Sequence, residues 1–253
     1  MKLAGVMSDM HIPYHDKKAV KLFLKIAKIL GVDHLLQVGD LVDCYAISKY
    51  SKDPDRASGV NLQKEFDEAV AFLEECLDIT PYVTVLEGNH EQRLMKYLKE
   101  KAPGLFGLRD LTIRRLLKIN QLGVEYTTHK FLGQLYVFHG DQWTKSGSPH
   151  SSMTAKTNVE RSGLNVMHGH IHRMGEYHVT KQGYELSGYE IGCLCETDVE
   201  YCHYPNWQLG GAFVTYEDAG NKDFFVEKLE IEKVGKDKKS RRAFFRGKIY
   251  IEE

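Results

Sequence analysis

Asp9-x-His11, Gly39-Asp40-x-x-Asp43, Gly88-Asn89-His90-Glu91, His139-Gly140-Asp141 and Gly169-His170-x-His172 follow one another along the chain. Each motif is short and weak alone. Together they supply carboxylates (Asp9, Asp40, Asp43), an amide (Asn89) and imidazoles (His11, His90, His139, His170, His172), each motif directly after a strand-like run. Carboxylate oxygen and imidazole nitrogen are the donors of a two-metal hydrolytic site, in which one acid is shared between the ions and separate ligands hold each of them. Taken singly, any of these residues is equally well explained as a satisfied core histidine or a helix-capping aspartate. That explanation fails for the set arriving together. Mixed oxygen and nitrogen donors suit Mn²⁺, Fe, Zn²⁺ or Ni²⁺ rather than Mg²⁺ or Ca²⁺, and manganese is the expected activating ion.

The elements that deliver these residues read as alternating strands and helices. Leu3 to Met7 is a short apolar run ending at the first motif. From Lys17 to Leu30, Ala19, Val20, Phe23, Leu24, Ile26, Ala27 and Leu30 recur at helical spacing, and Gly31 closes the helix. His34 to Val38 is a strand leading to Gly39-Asp40, Leu62 to Leu77 is helical by period, and Tyr82 to Leu86 leads to Gly88-Asn89-His90 ahead of a helix over Glu91 to Lys101. This order predicts an α/β sheet with its functional loops at strand C-termini.

Ser48 to Ser58 is polar and reads as loop; Leu105 to Ile119 reads as a further helix. Its Arg109, Arg114, Arg115 and Lys118 form a solvated face more readily than a phosphate-tracking patch. Leu135 to Phe138 delivers His139, Asn165 to Met167 delivers His168-Gly169-His170, and Ser151 to Arg161 between them is helix-compatible. Beyond Arg173, the runs Glu176 to Thr180, Tyr184 to Leu186, Ala212 to Tyr216, Phe224 to Ile231 and Phe244 to Ile251 read as antiparallel strands completing a second sheet. Lys236 to Arg242, with five basic residues and one acid, is a solvated hairpin tip on the simplest reading and a nucleic-acid contact on the sharper one.

With 34 basic and 35 acidic residues and a net charge of −1, the chain has no global attraction for nucleic acid or anionic membrane. No apolar run approaches the roughly 20 residues of a membrane helix, and the N-terminus lacks a signal-peptide pattern. No repeat or linker divides residues 1 to 253, so one domain is expected. Cys44, Cys76, Cys193, Cys195 and Cys202 are odd in number and irregularly spaced, as reduced thiols are. Cys193-x-Cys195 with Cys202-His203 has the makings of a zinc site, but alternating core thiols on a strand explain the pair more simply.

The ordered motifs resemble the calcineurin-like metallophosphoesterase superfamily, directly over roughly residues 1 to 175. The resemblance implies a two-sheet, four-layer α/β/β/α sandwich. It implies that Asp40 bridges two divalent metal ions, that Asp9, His11 and His172 complete one site, and that Asn89, His139 and His170 complete the other. It assigns His90 to the leaving group as general acid and Asp43 to the hydrogen bond that orients it. The implied activity is hydrolysis of a phosphate ester by hydroxide held between the metals.

The run from Ser8 to Asp16 is similar to prokaryotic and phage members described as exonuclease-like, with His15 at the rim as a substrate contact. The expected location is accordingly the cytoplasm, or the host cytoplasm for a phage-borne gene. In the phosphoprotein phosphatases of this superfamily a phosphate-gripping arginine follows Gly-Asp-x-x-Asp; here that position is Cys44, which tilts the reading from monoesters towards diesters. A phosphodiesterase or nuclease acting on nucleic acid or nucleotides is therefore expected, with a phosphomonoesterase on small phosphates as the alternative. A non-catalytic scaffold is a third reading, disfavoured because scaffold members typically lose a ligand or the acid histidine. Tyr45, Tyr50, Trp143 and Trp207 are candidates to stack on bases, although packing is the simpler account of each.

Overall fold

The computed structural model describes residues 1–49, 61–142, 154–181, 183–197 and 205–253. Strands β1 (Lys2–Met7), β2 (His34–Gln37), β3 (Val83–Leu86) and β4 (Glu125–Thr127) run parallel as neighbours. Helix α1 (Lys17–Leu30) joins the first pair, α2 (Leu62–Leu77) lies between the second, and α3 (Glu91–Lys101) between the third. Asp16 caps α1 by accepting the Ala19 amide at 3.0 Å, and Gly31 ends it at φ 65°, a left-handed turn that glycine adopts without penalty.

On the other side of β1 the sheet continues antiparallel through β10 (Leu209–Tyr216), β11 (Phe224–Val234), β12 (Ser240–Phe245) and β13 (Lys248–Glu252). A second sheet has the order β5 (His129–Leu132), β6 (Leu135–Phe138), β7 (Asn165–His168), β9 (Tyr184–Ile191), β8 (Met174–Lys181).

Period-two alternation assigns each strand face to a layer. Ala4, Val6, Leu36 and Val38 meet Leu135, Val137, Met167 and Ile191 between the sheets. Met7, Leu35, Val83 and Val85 turn the other way and pack on Phe23, Ile26, Phe66 and Leu73 of α1 and α2. The outer face of the second sheet is covered at Phe138 and Val166 by Val159 of α4 (Thr154–Ser162). The layers are therefore helix, sheet, sheet, helix, the four-layer sandwich expected. No helix among the described residues is long and apolar enough to cross a membrane.

Four expectations about the fold are corrected. The runs Ala212 to Tyr216, Phe224 to Ile231 and Phe244 to Ile251 do not complete the second sheet; they extend the first, because β10 pairs antiparallel with the free edge of β1. Leu105 to Ile119 is not one helix. It breaks into single turns at Pro103–Leu105, Arg109–Leu111 and Ile113–Leu116, with Ile119–Leu122 following, because Gly107 (φ 92°) and Lys118 (φ 50°) hold left-handed backbone. Phe244 to Ile251 is a hairpin, turned at Arg246 (φ 47°) and Gly247 (φ 73°), the paired positive φ of a tight primed turn. Finally, the strand from Tyr184 is not purely antiparallel: it runs to Ile191, antiparallel to β8 but parallel to β7. Its C-terminal end thus points the same way as those of β6 and β7, and Gly192 to Cys195 emerge beside the His170 loop.

Candidate metal centre

Every motif leaves the C-terminal end of a parallel strand, so β1, β2, β3, β6 and β7 deliver their loops to one edge of the sandwich. The loops are then laced together. Asp9 N donates to Gly39 O at 3.2 Å, His11 N to Asp40 O at 2.9 Å, Gly169 N to His139 O at 3.0 Å, and Leu194 N to Ser8 O at 3.0 Å. Asp9 (φ 52°), His11 (φ 50°), Asp40 (φ 53°), His170 (φ 65°) and His172 (φ 58°) all hold left-handed backbone, which persists in non-glycine residues only where surrounding contacts over-determine it. Two carboxylates seat directly on glycines: a Cβ on Gly88 would lie 2.3 Å from Asp40 Oδ1, and one on Gly169 would lie 2.3 Å from Asp9 Oδ2.

Asp40 divides its oxygens. Oδ1 faces His139 Nε2 at 3.3 Å, while Oδ2 faces His11 Nε2 at 3.7 Å and His90 Nε2 at 3.6 Å. On the Oδ1 side, donor atoms of Asp40, His139 and His170 lie within 4.8 Å of one another, and Asn89 Oδ1 is 3.1 Å from His139 Nε2. His139 Nδ1 donates to Val38 O at 2.8 Å, which fixes the tautomer and leaves Nε2 turned inward. On the other side Asp9 Oδ1 is 3.2 Å from His172 Nε2, and His11 Nε2 is 3.1 Å from His172 Nε2. Nitrogens this close share a proton or a cation.

Asp9 Oδ2 is satisfied by the His170 amide at 2.8 Å, but buried Oδ1 has no aligned hydrogen bond, only His172 Nε2 beside it. An orphaned carboxylate oxygen, two inward Nε2 atoms and a split carboxylate fit divalent cations on both sides of Asp40. The residues that would hold them are Asp9, His11, His172 and Asp40 on one side and Asp40, Asn89, His139 and His170 on the other.

Electrostatics agree with that fit. Burial alone would lower the histidine values, but beside Asp40 the His139 pKa is raised to about 10, and beside Asp9 that of His172 is raised to about 9. Burial works to raise the Asp9 carboxyl, yet His172 outweighs it and brings the pKa to about 2; Asp40 is held well below the usual range by His139 and His90 in the same way. Burial lowers His11 and His170. Without cations, then, protons on His139 and His172 balance the two acids.

This balance gives the metal-free chain a pH dependence of definite sign. Both histidines have folded values above their unfolded one, so the stability they lend is complete below pH 6.5 and is lost as pH rises through 9 to 10. Cation binding must displace those protons. Calorimetric titration of chelator-treated protein with Mn²⁺ in buffers of different ionisation enthalpy is expected to show about two protons released at pH 7 and affinity rising up to roughly 100-fold per pH unit, the slope easing above pH 9 and flattening above pH 10. Affinity independent of pH would contradict this charge balance.

His90 lies at the mouth. Its Nδ1 is 2.7 Å from Asp43 Oδ1, and Asp43 also faces His11 Nδ1 at 3.4 Å. His15 is set apart, with Nε2 3.9 Å from Glu68 Oε1 of α2 and its backbone bridged to Cys195. Tyr45 packs edge-on against Tyr14, and Trp207 edge-on against His172 with ring centroids 4.3 Å apart. Tyr50, Trp143, Cys202 and His203 lie outside the described residues. Cys193 and Cys195 occupy the loop after β9 rather than a strand, and Cys195 Sγ is 3.8 Å from His172 Nδ1.

Two residues carry more than their motif positions suggested. Glu91, fully buried, accepts amides from both ends of the site: Asp40 N at 3.0 Å and Gly88 N at 2.8 Å on Oε2, Leu41 N at 2.8 Å and Val42 N at 3.2 Å on Oε1. It ties the Asp40 loop to the Asn89 loop. Arg93, three residues after His90 and so on the same helical face, places Nη1 2.7 Å from Asp43 O and Nη2 2.7 Å from His90 Nε2. The spacing from His90 was the signal for Arg93. Only the fold could reveal Glu91's partners.

The model of the calcineurin-like phosphoesterases matches residues 4–174, and the chain belongs to that family. Gene 54 protein of Mycobacterium phage L5 is 27% identical over 226 residues, covering 84% of this chain and 88% of that protein. Gene 54 protein of Mycobacterium phage D29 is 27% identical over 228 residues, with the same coverage of 84% and 88%. Among solved structures, Vps29 of Chaetomium thermophilum matches at 9% identity and a TM-score of 0.48, covering 100% of this chain and 98% of that one. YfcE, a phosphoesterase from E. coli, matches at 15% identity and a TM-score of 0.40, covering 89% and 97%.

Proposed function

We propose that the chain is a dinuclear metal-dependent phosphoesterase that cleaves phosphodiesters of nucleotides or nucleic acid. The observation that carries this reading is Asp40, whose two oxygens face separate histidine groups as a shared ligand requires. Divalent cations bound there would supply Lewis acidity to phosphate oxygens and a water of lowered pKa. Asp43 accepts from His90 Nδ1 and so turns Nε2 to the space between Asp40 and Arg93, where it serves the leaving oxygen as general acid. Nε2 accepts from Arg93 in this arrangement, so proton donation requires that one Nη2 contact to be given up while Nη1 keeps its hold on Asp43.

The basic clusters contribute little to substrate attraction. Arg114 donates to Tyr126 O and Arg115 pairs with Asp110, while Arg241 pairs with Asp16 and Arg242 with Glu232. Few phosphates are contacted, so nucleic acid should bind with a shallow salt dependence. A phosphomonoesterase is the second reading, favoured by the guanidinium of Arg93 at the mouth, which restores positive charge that Cys44 does not provide.

With Mn²⁺, hydrolysis of bis-nitrophenyl phosphate and cutting of single-stranded nucleic acid are expected. Far faster hydrolysis of nitrophenyl monophosphate, with no nucleic acid or cyclic nucleotide cut, would replace the diester reading with the monoester one. Inactivity of the loaded protein on every ester would remove both.

A further inference from the structure

We propose that Arg93 is the side chain that grips the substrate phosphate, an assignment that rests on the phosphoesterase reading above. The residue after Asp43 cannot serve as the grip, because Cys44 is fully buried and packs in the helix-side core. Arg93 reaches the same mouth from the first turn of α3, with its side chain 18% exposed.

Its donors are only partly used. Nη1 is spent on Asp43, at 2.7 Å from the carbonyl oxygen and 3.3 Å from Oδ1, and one N–H of Nη2 points to His90 Nε2. Nε–H and the second N–H of Nη2 have no protein partner among the described residues. Nε–H and an N–H of Nη2 make up the side-on fork of a guanidinium, the geometry that takes two oxygens of one phosphoryl group. The guanidinium is held at the mouth by its contacts to Asp43, which do not depend on the protonation of His90, so little rotamer freedom remains to be lost when an anion binds. Arg114, Arg115, Arg241 and Arg242 are occupied with partners elsewhere in the fold and offer no comparable fork at the mouth.

A lysine at position 93 would keep the charge but lose the fork. Calorimetric titration of inorganic phosphate into Mn²⁺-loaded protein is the direct test, with metal content measured on each variant. Arg93→Ala is expected to keep both metals and weaken phosphate by about 10- to 100-fold, and Arg93→Lys to fall between it and the parent chain. With ester substrates the loss should fall mainly on KM.

An effect transmitted only through His90 is separated by repeating the substitution in the His90→Ala chain: a grip on phosphate persists there, and a loss of affinity that vanishes there overturns the assignment. Unchanged phosphate affinity in Arg93→Ala, beside a parent that binds phosphate and cleaves esters, overturns it while the phosphoesterase reading stands. A fully loaded parent chain that neither binds phosphate nor cleaves any ester overturns both.

Discussion

Asp40→Ala is expected to lose metal and activity together. Both oxygens of Asp40 are committed, one towards His139 and one towards His11 and His90, so no neighbouring acid can assume both faces. The substitution also leaves the His90 amide without the acceptor it has at 2.9 Å. Elemental analysis should find metal content falling from two ions per chain towards none, with hydrolysis of diester reduced by at least about 10⁴, since general acid catalysis without the cations has nothing to act on. Retention of both ions in Asp40→Ala would show that the acid is not shared.

His90→Ala separates chemistry from metal binding. Without His90, Asp40 keeps His139 on one oxygen and His11 on the other, and His90 Nδ1 is tied to Asp43. Both ions should stay, while hydrolysis slows by roughly 10² to 10⁴. The loss depends on the leaving group. Nitrophenolate departs with little protonation, whereas an alkoxide leaving from a nucleotide needs the proton, so alkyl esters should suffer more. Equal losses on both kinds of ester would mean that His90 is not the acid.

Much of this site was legible before any fold was known, because each motif follows a strand whose apolar alternation is local and strong. Strand direction then fixes which loops share an edge. Asp9, Asp40, Asn89, His139, His170 and His172 therefore converge as their order suggested. What could not be read depends on partners distant in sequence. Glu91 looks like an ordinary helix-start acid until β2 and β3 bring four amides to it. Cys195 joins the neighbourhood only because β9 runs parallel to β7, a pairing that alternation along a single strand cannot distinguish from the antiparallel one. The basic clusters show a related limit: a run of arginines shows charge, not the Asp16 or Glu232 that pairs with it. The long helix over Leu105 to Ile119 failed at Gly107 and Lys118, where backbone geometry interrupts an acceptable period.

The left-handed backbone at Asp9, His11, Asp40, His170 and His172 bears on which ion the chain comes to hold. Those five conformations are pinned by amide-to-carbonyl bonds between loops, such as His11 N to Asp40 O and Gly169 N to His139 O. The cradle's shape therefore has backbone support of its own, beside whatever its side-chain ligands contribute. A cradle braced in this way accepts cations by their abundance as well as by affinity, so the same polypeptide expressed in manganese-rich and in zinc-rich medium should carry different metals on the same backbone.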